Sequence, residues 1–240
     1  MCGRYRLSRD GKQVVEDFAV EGEVEWSPRY NIAPTDPVLT VRQDPKNPVR
    51  HCTLMRWGLI PFWARDRSIA LKTINGMSET AAGKPAFRQA MQTQRCLIPA
   101  DGFYEWLRTG PKEKQPYNFG MADDSLFAFA GLWDRWKDRA DDRGNPILSC
   151  TILTTRPNTL VAEVHNRMPA ILRRQDYDLW LDPGITDPAK VVDLLAPFDP
   201  RQMKKYPVSK RVNSVKNDDP QCAQEIQLAA VETQEGLFPG

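Results

Sequence analysis

Short apolar segments separated by prolines and turns constrain the fold of this chain more than any other feature. The 240 residues include 20 prolines and seven tryptophans, and frequent proline favours irregular connections over long helices. Residues 126–133 and 147–155 are apolar runs of strand length, typical of buried strands. Further strands are predicted at residues 4–7, 38–42, 51–58, 95–100, 103–107 and 206–212.

Helices are predicted as single, short connections between these strands. Ser8 is a suitable N-cap for a helix that ends at Phe18, because its hydroxyl can accept a hydrogen bond from a free backbone N–H. The segment 29–35 is expected to be a loop, because Pro34 and the following Pro37 disfavour regular structure. The remaining predicted helices are one capped by Ser78 or Thr80, one with Pro85 in its first turn that runs to Gln92, and those at 157–164, 177–181 and 188–195.

The order of these elements lacks the regular strand–helix alternation of a parallel α/β fold. It therefore predicts the α+β class, with a mainly antiparallel, barrel-like sheet and a few peripheral helices. Neither a repeat nor a low-complexity linker divides the sequence. We expect one domain over residues 1–220, followed by a loose polar tail at 221–240.

Composition excludes several classes of function. The net charge is +2, from 33 basic and 31 acidic residues, which excludes a broadly polybasic nucleic-acid binder but allows a local basic cleft. The sequence has no apolar run of about 18 residues and no secretory signal, so a cytoplasmic protein without a membrane span is expected. The five cysteines are widely spaced, without a CxxC pair, and only two histidines are present. Neither a metal site nor an organic cofactor is therefore expected.

Cys2 is the candidate with the most specific chemistry. The small side chain after Met1 permits removal of the initiator residue, which would leave an α-amine and a thiol on adjacent carbons. Such a 1,2-aminothiol captures aldehydes, because the amine forms an imine and the sulfur then closes a five-membered thiazolidine ring. Typical pKa values, roughly 8.5 for a thiol and roughly 7.7–8.0 for an α-amine, leave both groups partly reactive near neutral pH.

Three polar residues are candidate partners for Cys2, and each has an ordinary alternative. Glu105 shares a strand face with apolar residues, so its pKa should be raised for general acid–base work, unless it faces solvent between two rings. His165 could exchange protons near neutral pH, or it could be a surface residue at a helix end. Asn75 could orient an aldehyde or hydroxyl, although an Asn-Gly pair usually marks a turn.

Candidate nucleic-acid contacts are spread along the chain. Arg4 and Arg167 present planar donor forks that match phosphate oxygens. Trp63, Trp106 and Pro34 could supply apolar surface on which bases stack. Each also has an ordinary interpretation, as a surface arginine, a core tryptophan or a loop proline.

Six segments, taken together, resemble the SOS-response-associated peptidase (SRAP) family in content and order, over nearly the whole chain. They are Met-Cys-Gly-Arg-Tyr at 1–5, Arg-Tyr-Asn-Ile-Ala-Pro-Thr at 29–35, Met-Arg-Trp-Gly-Leu-Ile-Pro-Phe-Trp-Ala at 55–64, Asn-Gly-Met-Ser-Glu-Thr at 75–80, Arg-Cys-Leu-Ile-Pro-Ala-Asp-Gly-Phe-Tyr-Glu-Trp at 95–106, and His-Asn-Arg-Met-Pro at 165–169. The segment Val-Asn-Ser-Val-Lys-Asn at 212–217 is similar to a C-terminal region of the same family.

The resemblance implies a compact α+β domain that captures abasic sites in single-stranded DNA as a thiazolidine crosslink. It implies that Cys2 forms the crosslink after loss of Met1, with assistance from Asn75, Glu105 and His165. The residues implied to contact DNA are Arg4, Asn31, Pro34, Trp63, Trp106 and Arg167. The chain is expected to act as a monomer, without a cofactor.

One departure from the family pattern and two alternative functions accompany this prediction. The family has an arginine where this chain has Met77, and loss of a phosphate contact should weaken DNA binding and reduce its salt dependence. One alternative is a cysteine peptidase, which uses Cys2 as nucleophile and which could remove its own Met1. The other is a noncovalent single-stranded DNA binding module in which Cys2 has no role.

Overall fold

A closed barrel and a second, open sheet form the centre of the protein in the computed structural model, which describes residues 2–44, 48–138 and 144–228. The strands are β1 Tyr5–Leu7, β2 Arg29–Ile32, β3 Pro37–Gln43, β4 Arg50–Trp57, β5 Asn75–Met77, β6 Arg95–Ala100, β7 Gly102–Arg108, β8 Lys114–Met121, β9 Phe127–Trp136, β10 Ile147–Thr155, β11 Met168–Pro169, β12 Ile171–Leu172 and β13 Met203–Pro207. The α-helices are α1 Gly11–Phe18, α2 Ser78–Ala81, α3 Arg88–Thr93, α4 Thr159–Ala162 and α5 Tyr177–Leu181.

The barrel contains five strands, in the order β10-β4-β3-β6-β9, and the pairing of β9 with β10 closes it. All of its pairings are antiparallel except that of β10 with β4. Every strand of the barrel contributes buried apolar side chains, and since successive side chains alternate between the two faces of a strand, both faces of the barrel wall are packed. Met55, Phe129 and Ile152 share one face, and Val41 and Leu97 lie on the other. The predicted α+β class with a mainly antiparallel barrel is confirmed, and the two apolar runs at 126–133 and 147–155 are the long strands β9 and β10.

The open sheet, in the order β13-β8-β7-β1-β2, connects the start of the chain to the barrel. Tyr5 of β1 pairs with Phe103 of β7 on one side and with Ile32 of β2 on the other. The Tyr5 ring also contacts the rings of Trp57 and Phe129 edge-on, at 5.4 and 5.5 Å between centroids. Residue 2 is therefore held at a fixed place, although most chain termini fray.

Several predicted boundaries differ from the structure because local hydrogen bonds override the sequence pattern. Residues 29–32 of the predicted loop form β2, which pairs with β1. Helix α1 begins at Gly11, since Asp10, not Ser8, accepts the capping hydrogen bond from the Gln13 N–H. Helix α3 begins at Arg88, so Pro85 precedes it. The late strand β13 ends at Pro207, and the backbone then forms a 3-10 helix over Lys210–Asn213.

The predicted tail is partly ordered. Pro220–Cys222 form a 3-10 helix, and Cys222 is buried. Glu225 forms an isolated bridge with Val208, and the Ile226 N–H donates to the Pro207 carbonyl at 3.0 Å. Residues 221–228 therefore contact the end of β13, and the rest of the predicted tail, 229–240, lies outside the described residues.

Within the described ranges, no helix has both the length and the apolar character that crossing a membrane requires.

Candidate functional site

Cys2 lies fully buried where the chain enters β1. The Asn75 side chain, at the start of β5, donates its Nδ2 hydrogen to the Cys2 carbonyl at 2.8 Å. The Cys2 sulfur lies 4.0 Å from the Arg4 carbonyl oxygen. Burial, and secondly the negative charge of Glu105, raise the pKa of the Cys2 thiol well above its usual range. The thiol is therefore protonated at neutral pH and lies within the electrostatic reach of Glu105.

Glu105 is the strongest acid–base candidate in the site. Strand β7 pairs it with Tyr117 of β8, and only 3% of its surface is exposed, so the solvent-facing alternative is wrong. Burial raises the pKa of its carboxyl to about 8, because a charged carboxylate is poorly solvated in the interior. At neutral pH the group is mostly protonated, yet it can lose its proton at little cost, as general acid–base catalysis requires.

His165 follows α4 and reaches the same carboxyl, with 3.9 Å between its Nε2 and the Glu105 Oε2. Burial lowers the pKa of the imidazole below its ordinary value. The distance alone would suit an ion pair. However, the raised pKa of the acid and the lowered pKa of the base together favour two neutral groups at pH 7. We therefore interpret the contact as two neutral groups that lie close together but beyond hydrogen-bond distance, not as a permanent salt bridge.

Asn75 is positioned by the pairing of β5 with β10, in which it lies beside Ile152. The Asn75 Oδ1 is buried, and no hydrogen-bond partner for it occurs in the described part of the chain. A buried amide oxygen without a partner is costly. A hydroxyl from a bound molecule would remove this cost, which suits the predicted role of Asn75 in orienting a substrate.

Arg167 lies two residues after His165, but its guanidinium group is already engaged. Its Nη1 and Nη2 donate to the two carboxylate oxygens of Glu79, at 2.7 and 2.9 Å, and Nη2 also donates to the Thr154 carbonyl at 2.6 Å. The predicted phosphate ligand is therefore close to the site, with its charge balanced by Glu79. Met77, at the departure from the family pattern, is 47% exposed and supplies no charge.

Arg4 and Trp106 form the wall of a basic groove that begins beside Cys2. The Arg4 guanidinium carbon lies 5.9 Å from the centre of the Trp106 ring, and the Trp106 Nε1–H donates to Asn213 Oδ1 at 2.7 Å. The cavity has a volume of about 490 Å³. Its lining residues are Gly3, Arg4, Trp106, Lys112, Glu113, Lys114, Lys210 and Asn213. Four basic side chains against one acidic side chain make this groove suitable for an anionic ligand.

The remaining predicted DNA contacts lie in other environments. Asn31 is 1% exposed, and its Nδ2 donates to the carbonyls of Val212, Ser214 and Asn217. Its Oδ1 accepts from Arg4 Nη1 at 2.8 Å, so the side chain holds both the chain and Arg4 in place. Trp63 is 41% exposed in the loop after β4, and Pro34 is half-buried after β2. Within the described ranges, no hydrogen bond or ring contact joins Trp63 or Pro34 to Cys2 or Asn75.

Sequence reasoning missed Glu79, Thr154 and the three groove lysines. Lys112 and Lys114 lie around the turn between β7 and β8, and β8 was itself not predicted because Pro116 and Asn118 interrupt its apolar pattern. Nothing in the sequence marks Glu79 as a partner of Arg167, since 88 positions separate them. Across the described residues, no group of three or more His, Cys, Asp or Glu side chains could hold a metal ion.

Comparisons with known proteins show which family the chain belongs to. The profile of the family described as SOS response associated peptidase (SRAP) matches residues 1–215. A protein named abasic site processing protein YoqW, from Bacillus subtilis (strain 168), is 43% identical over 224 residues, which cover 92% of this chain and 98% of YoqW. Abasic site processing protein HMCES from Gallus gallus is 32% identical over 271 residues, covering 95% of this chain and 79% of HMCES.

A solved structure supports the same assignment. The crystal structure of a Bacteroides thetaiotaomicron protein superposes with a TM-score of 0.84 at 27% identity, and the match covers 94% of this chain and all of that protein. The family profile spans the barrel, the open sheet and the segments that carry Cys2, Asn75, Glu105 and His165. This chain therefore belongs to the SOS response associated peptidase (SRAP) family.

Proposed function

We propose that this protein processes abasic sites in single-stranded DNA by forming a covalent thiazolidine crosslink through Cys2, after removal of Met1. The observation that carries the proposal is the placement of Cys2 beside Asn75 and within the electrostatic reach of Glu105, whose pKa is raised to about 8. The names of the relatives YoqW and HMCES support abasic sites as the substrate class.

The chemistry consumes one aldehyde, one amine and one thiol, and it releases one water. The Cys2 amine adds to the aldehyde carbon of the ring-opened sugar to give a carbinolamine. Loss of the hydroxyl as water leaves an imine. The Cys2 sulfur then adds to the imine carbon, and the thiol proton is transferred away as the nitrogen gains a proton. The closed ring protects the strand, because an open imine beside the 3′ phosphate promotes β-elimination.

The neighbouring side chains fit the proton transfers of this sequence. Protonated Glu105 can donate to the departing hydroxyl and can recover a proton from the thiol when the ring closes. Neutral His165, 3.9 Å from Glu105, can assist the opening of the sugar hemiacetal. The free Oδ1 of Asn75 can accept a hydrogen bond from a sugar hydroxyl.

The groove formed by Arg4, Trp106 and the three lysines supports an anionic polymer as ligand. Trp106 offers a ring on which an unpaired base can stack, and this favours a single strand over a duplex. We propose that the protein acts in the cytoplasm as a monomer. Since Met77 lacks charge and Arg167 is paired with Glu79, the groove residues should supply most of the salt-dependent affinity.

A peptidase that depends on a Cys2 thiolate has less support. Cysteine nucleophiles of that kind need a lowered pKa, whereas burial raises the pKa of Cys2. A noncovalent DNA-binding module would use the same basic groove, but it would leave the acid–base pair of Glu105 and His165 without a function.

The test is a crosslinking assay with a single-stranded oligonucleotide that carries one abasic site, analysed on a denaturing gel and by intact mass. The wild-type protein should give a heat-stable adduct whose mass corresponds to the protein without Met1 plus DNA minus one water. Cys2→Ser should give no such heat-stable adduct. An equally stable adduct from Cys2→Ser would overturn the proposal. Equal, salt-sensitive binding of intact and abasic strands without any adduct would instead favour the noncovalent module.

A further inference from the structure

Glu79 is an acidic residue whose contacts lead towards the candidate site, although it has no place in the chemistry described above. Both of its carboxylate oxygens accept hydrogen bonds from the Arg167 guanidinium group, at 2.7 and 2.9 Å. Such a two-point pair fixes the orientation of the arginine as well as its position. Hydrogen bonds from Arg167 lower the pKa of Glu79, so the carboxylate stays charged at neutral pH.

The Arg167 backbone contacts His165 Nδ1 through both its N–H and its carbonyl. The Arg167 N–H donates to His165 Nδ1 at 3.0 Å. A ring nitrogen that accepts a hydrogen bond carries no hydrogen, so the neutral imidazole must carry its hydrogen on Nε2. The Arg167 carbonyl also lies 3.1 Å from Nδ1, but it could accept only from the opposite tautomer or from a charged ring. The fixed direction of the backbone N–H favours the Nε2–H form, and Nε2 is the atom nearest Glu105.

The same arginine joins the His165 loop to the strand that carries Asn75. Its Nη2 donates to the Thr154 carbonyl at 2.6 Å, and β10 pairs Thr154 with Met77 and Ile152 with Asn75. Glu79 itself is in α2, which begins immediately after β5. The pair of Glu79 and Arg167 therefore connects the segment that holds Asn75 against Cys2 with the segment that holds His165 near Glu105.

We propose that Glu79 is a positioning residue. Through Arg167 it holds His165 in the Nε2–H tautomer and in a fixed position relative to Asn75. The catalytic consequence rests on the proposed function, whereas the tautomer does not. Glu79 also balances the charge of Arg167, so its role is distinct from that of a DNA ligand.

The tautomer can be measured without DNA. The chain contains only two histidines, His51 and His165, so 15N-labelled histidine gives two pairs of ring nitrogen signals, and His51→Gln shows which pair belongs to His165. The wild-type protein should show hydrogen on Nε2 of His165. Glu79→Gln should shift the ring nitrogens towards a mixture of tautomers, while Glu79→Asp, which keeps the charge, should restore part of the wild-type pattern.

Kinetics supply the second measurement. At saturating abasic DNA, Glu79→Gln should slow adduct formation about 10-fold, because small displacements of acid–base groups have large effects on rate. Binding of an intact strand should not weaken, since a negative charge beside Arg167 has been removed. The matched control is Glu163→Gln: the Glu163 side chain is 61% exposed and its carboxylate pairs with Lys205, not with Arg167. This variant should change neither the adduct rate nor the tautomer.

Three results would overturn the inference. The first is wild-type His165 with its hydrogen on Nδ1, and the second is a Glu79→Gln variant whose tautomer and adduct rate are both unchanged. The third is additive loss of rate when Glu79→Gln and Arg167→Gln are combined, because an action through Arg167 predicts a double variant no slower than Arg167→Gln alone. If the wild-type protein forms no adduct while the tautomer shifts as expected, the proposed function fails and the positioning role stands.

Discussion

Glu105 owes its raised pKa to its place in the sheet. Strand β7 lies between β1 and β8, and the alternation of side chains directs Glu105 to the buried side together with Phe103. The folded protein therefore prefers the protonated carboxyl, whereas the unfolded chain ionises at an ordinary pKa near 4.5. Between these two values the unfolded state binds fewer protons than the folded state, so this group lowers stability as the pH rises.

Glu105→Gln should remove that dependence. We expect the variant to be more stable than the wild type by on the order of 3 kcal/mol at pH 8, and the gain should vanish near pH 4. Urea unfolding at several pH values measures it. Glu16→Gln, on the exposed face of α1, is the control and should leave the dependence of unfolding free energy on pH unchanged. An unaltered pH slope in Glu105→Gln would show that the carboxylate is not disfavoured in the fold. The same variant should lose most of its crosslinking rate.

At the residue scale, sequence reasoning worked where chemistry is local. The alternation in residues 103–107 predicted a raised pKa for Glu105, and the structure shows it. It could not predict that Asn31 is buried, since the carbonyls that Asn31 binds come from residues 212–217. Nor could it identify Glu79, because a long-range ion pair leaves no periodic pattern in the sequence.

The segment 210–218 is the element that forms one side of the basic groove. It contributes Lys210 and Asn213 to the cavity, and Asp218 attaches its far end to β2. The Asp218 Oδ1 accepts hydrogen bonds from the backbone N–H groups of Tyr30 and Asn31, at 2.5 and 2.9 Å, and its other oxygen pairs with Arg29. One carboxylate therefore satisfies three donors and fixes this wall of the groove.

Asp218→Asn should detach that wall. The amide carries less negative charge and places a donor where an acceptor is needed, so we expect a loss of roughly 1–3 kcal/mol in unfolding free energy and weaker binding of intact single-stranded DNA. Thermal unfolding and fluorescence anisotropy measure the two effects. Asp219→Asn, which weakens an exposed pair with Arg211, should cost clearly less stability than Asp218→Asn, because solvent screens exposed ion pairs. Equal effects of the two substitutions would contradict the role of Asp218.

At this scale the sequence predicted strands well where they were apolar. Strands β9 and β10 follow directly from their hydrophobic runs. Strand β2 was predicted as part of a loop because of Pro34 and Pro37, whereas in the structure it pairs with β1 and its Tyr30 N–H donates to the distant Asp218. The register that brings β5 beside β10 depends on the closed barrel, and no local pattern encodes it.

The stability of the whole molecule depends on closure of the barrel. Gly131 lies where neighbouring strands approach each other closely. Gly131 of β9 faces Cys96 of β6 and Ile152 of β10. A Cβ atom at this position would lie 2.8 Å from the Cys96 sulfur and 2.9 Å from Ile98 Cδ1, closer than normal contact permits. The interior is already filled, so the neighbouring strands would have to move apart.

Gly131→Ala should therefore lower the unfolding free energy by roughly 1–3 kcal/mol, measured by chemical denaturation. Gly83→Ala is the matched control, because the nearest atom to its Cβ would be 3.8 Å away, and it should be neutral. If Gly131→Ala unfolds at the same denaturant concentration as the wild type, the barrel accommodates the extra methyl group without loss of stability, which would contradict this prediction.

The enclosure of Cys2 has a consequence for the lifetime of the protein under chemical stress. Peroxide and related oxidants attack thiolates that they can reach, and Cys2 is neither ionised nor exposed. Of the five thiols, only Cys52 is partly accessible. The sulfur that the proposed reaction needs is thus stored in reduced form while the damaging agents that produce lesions are still present.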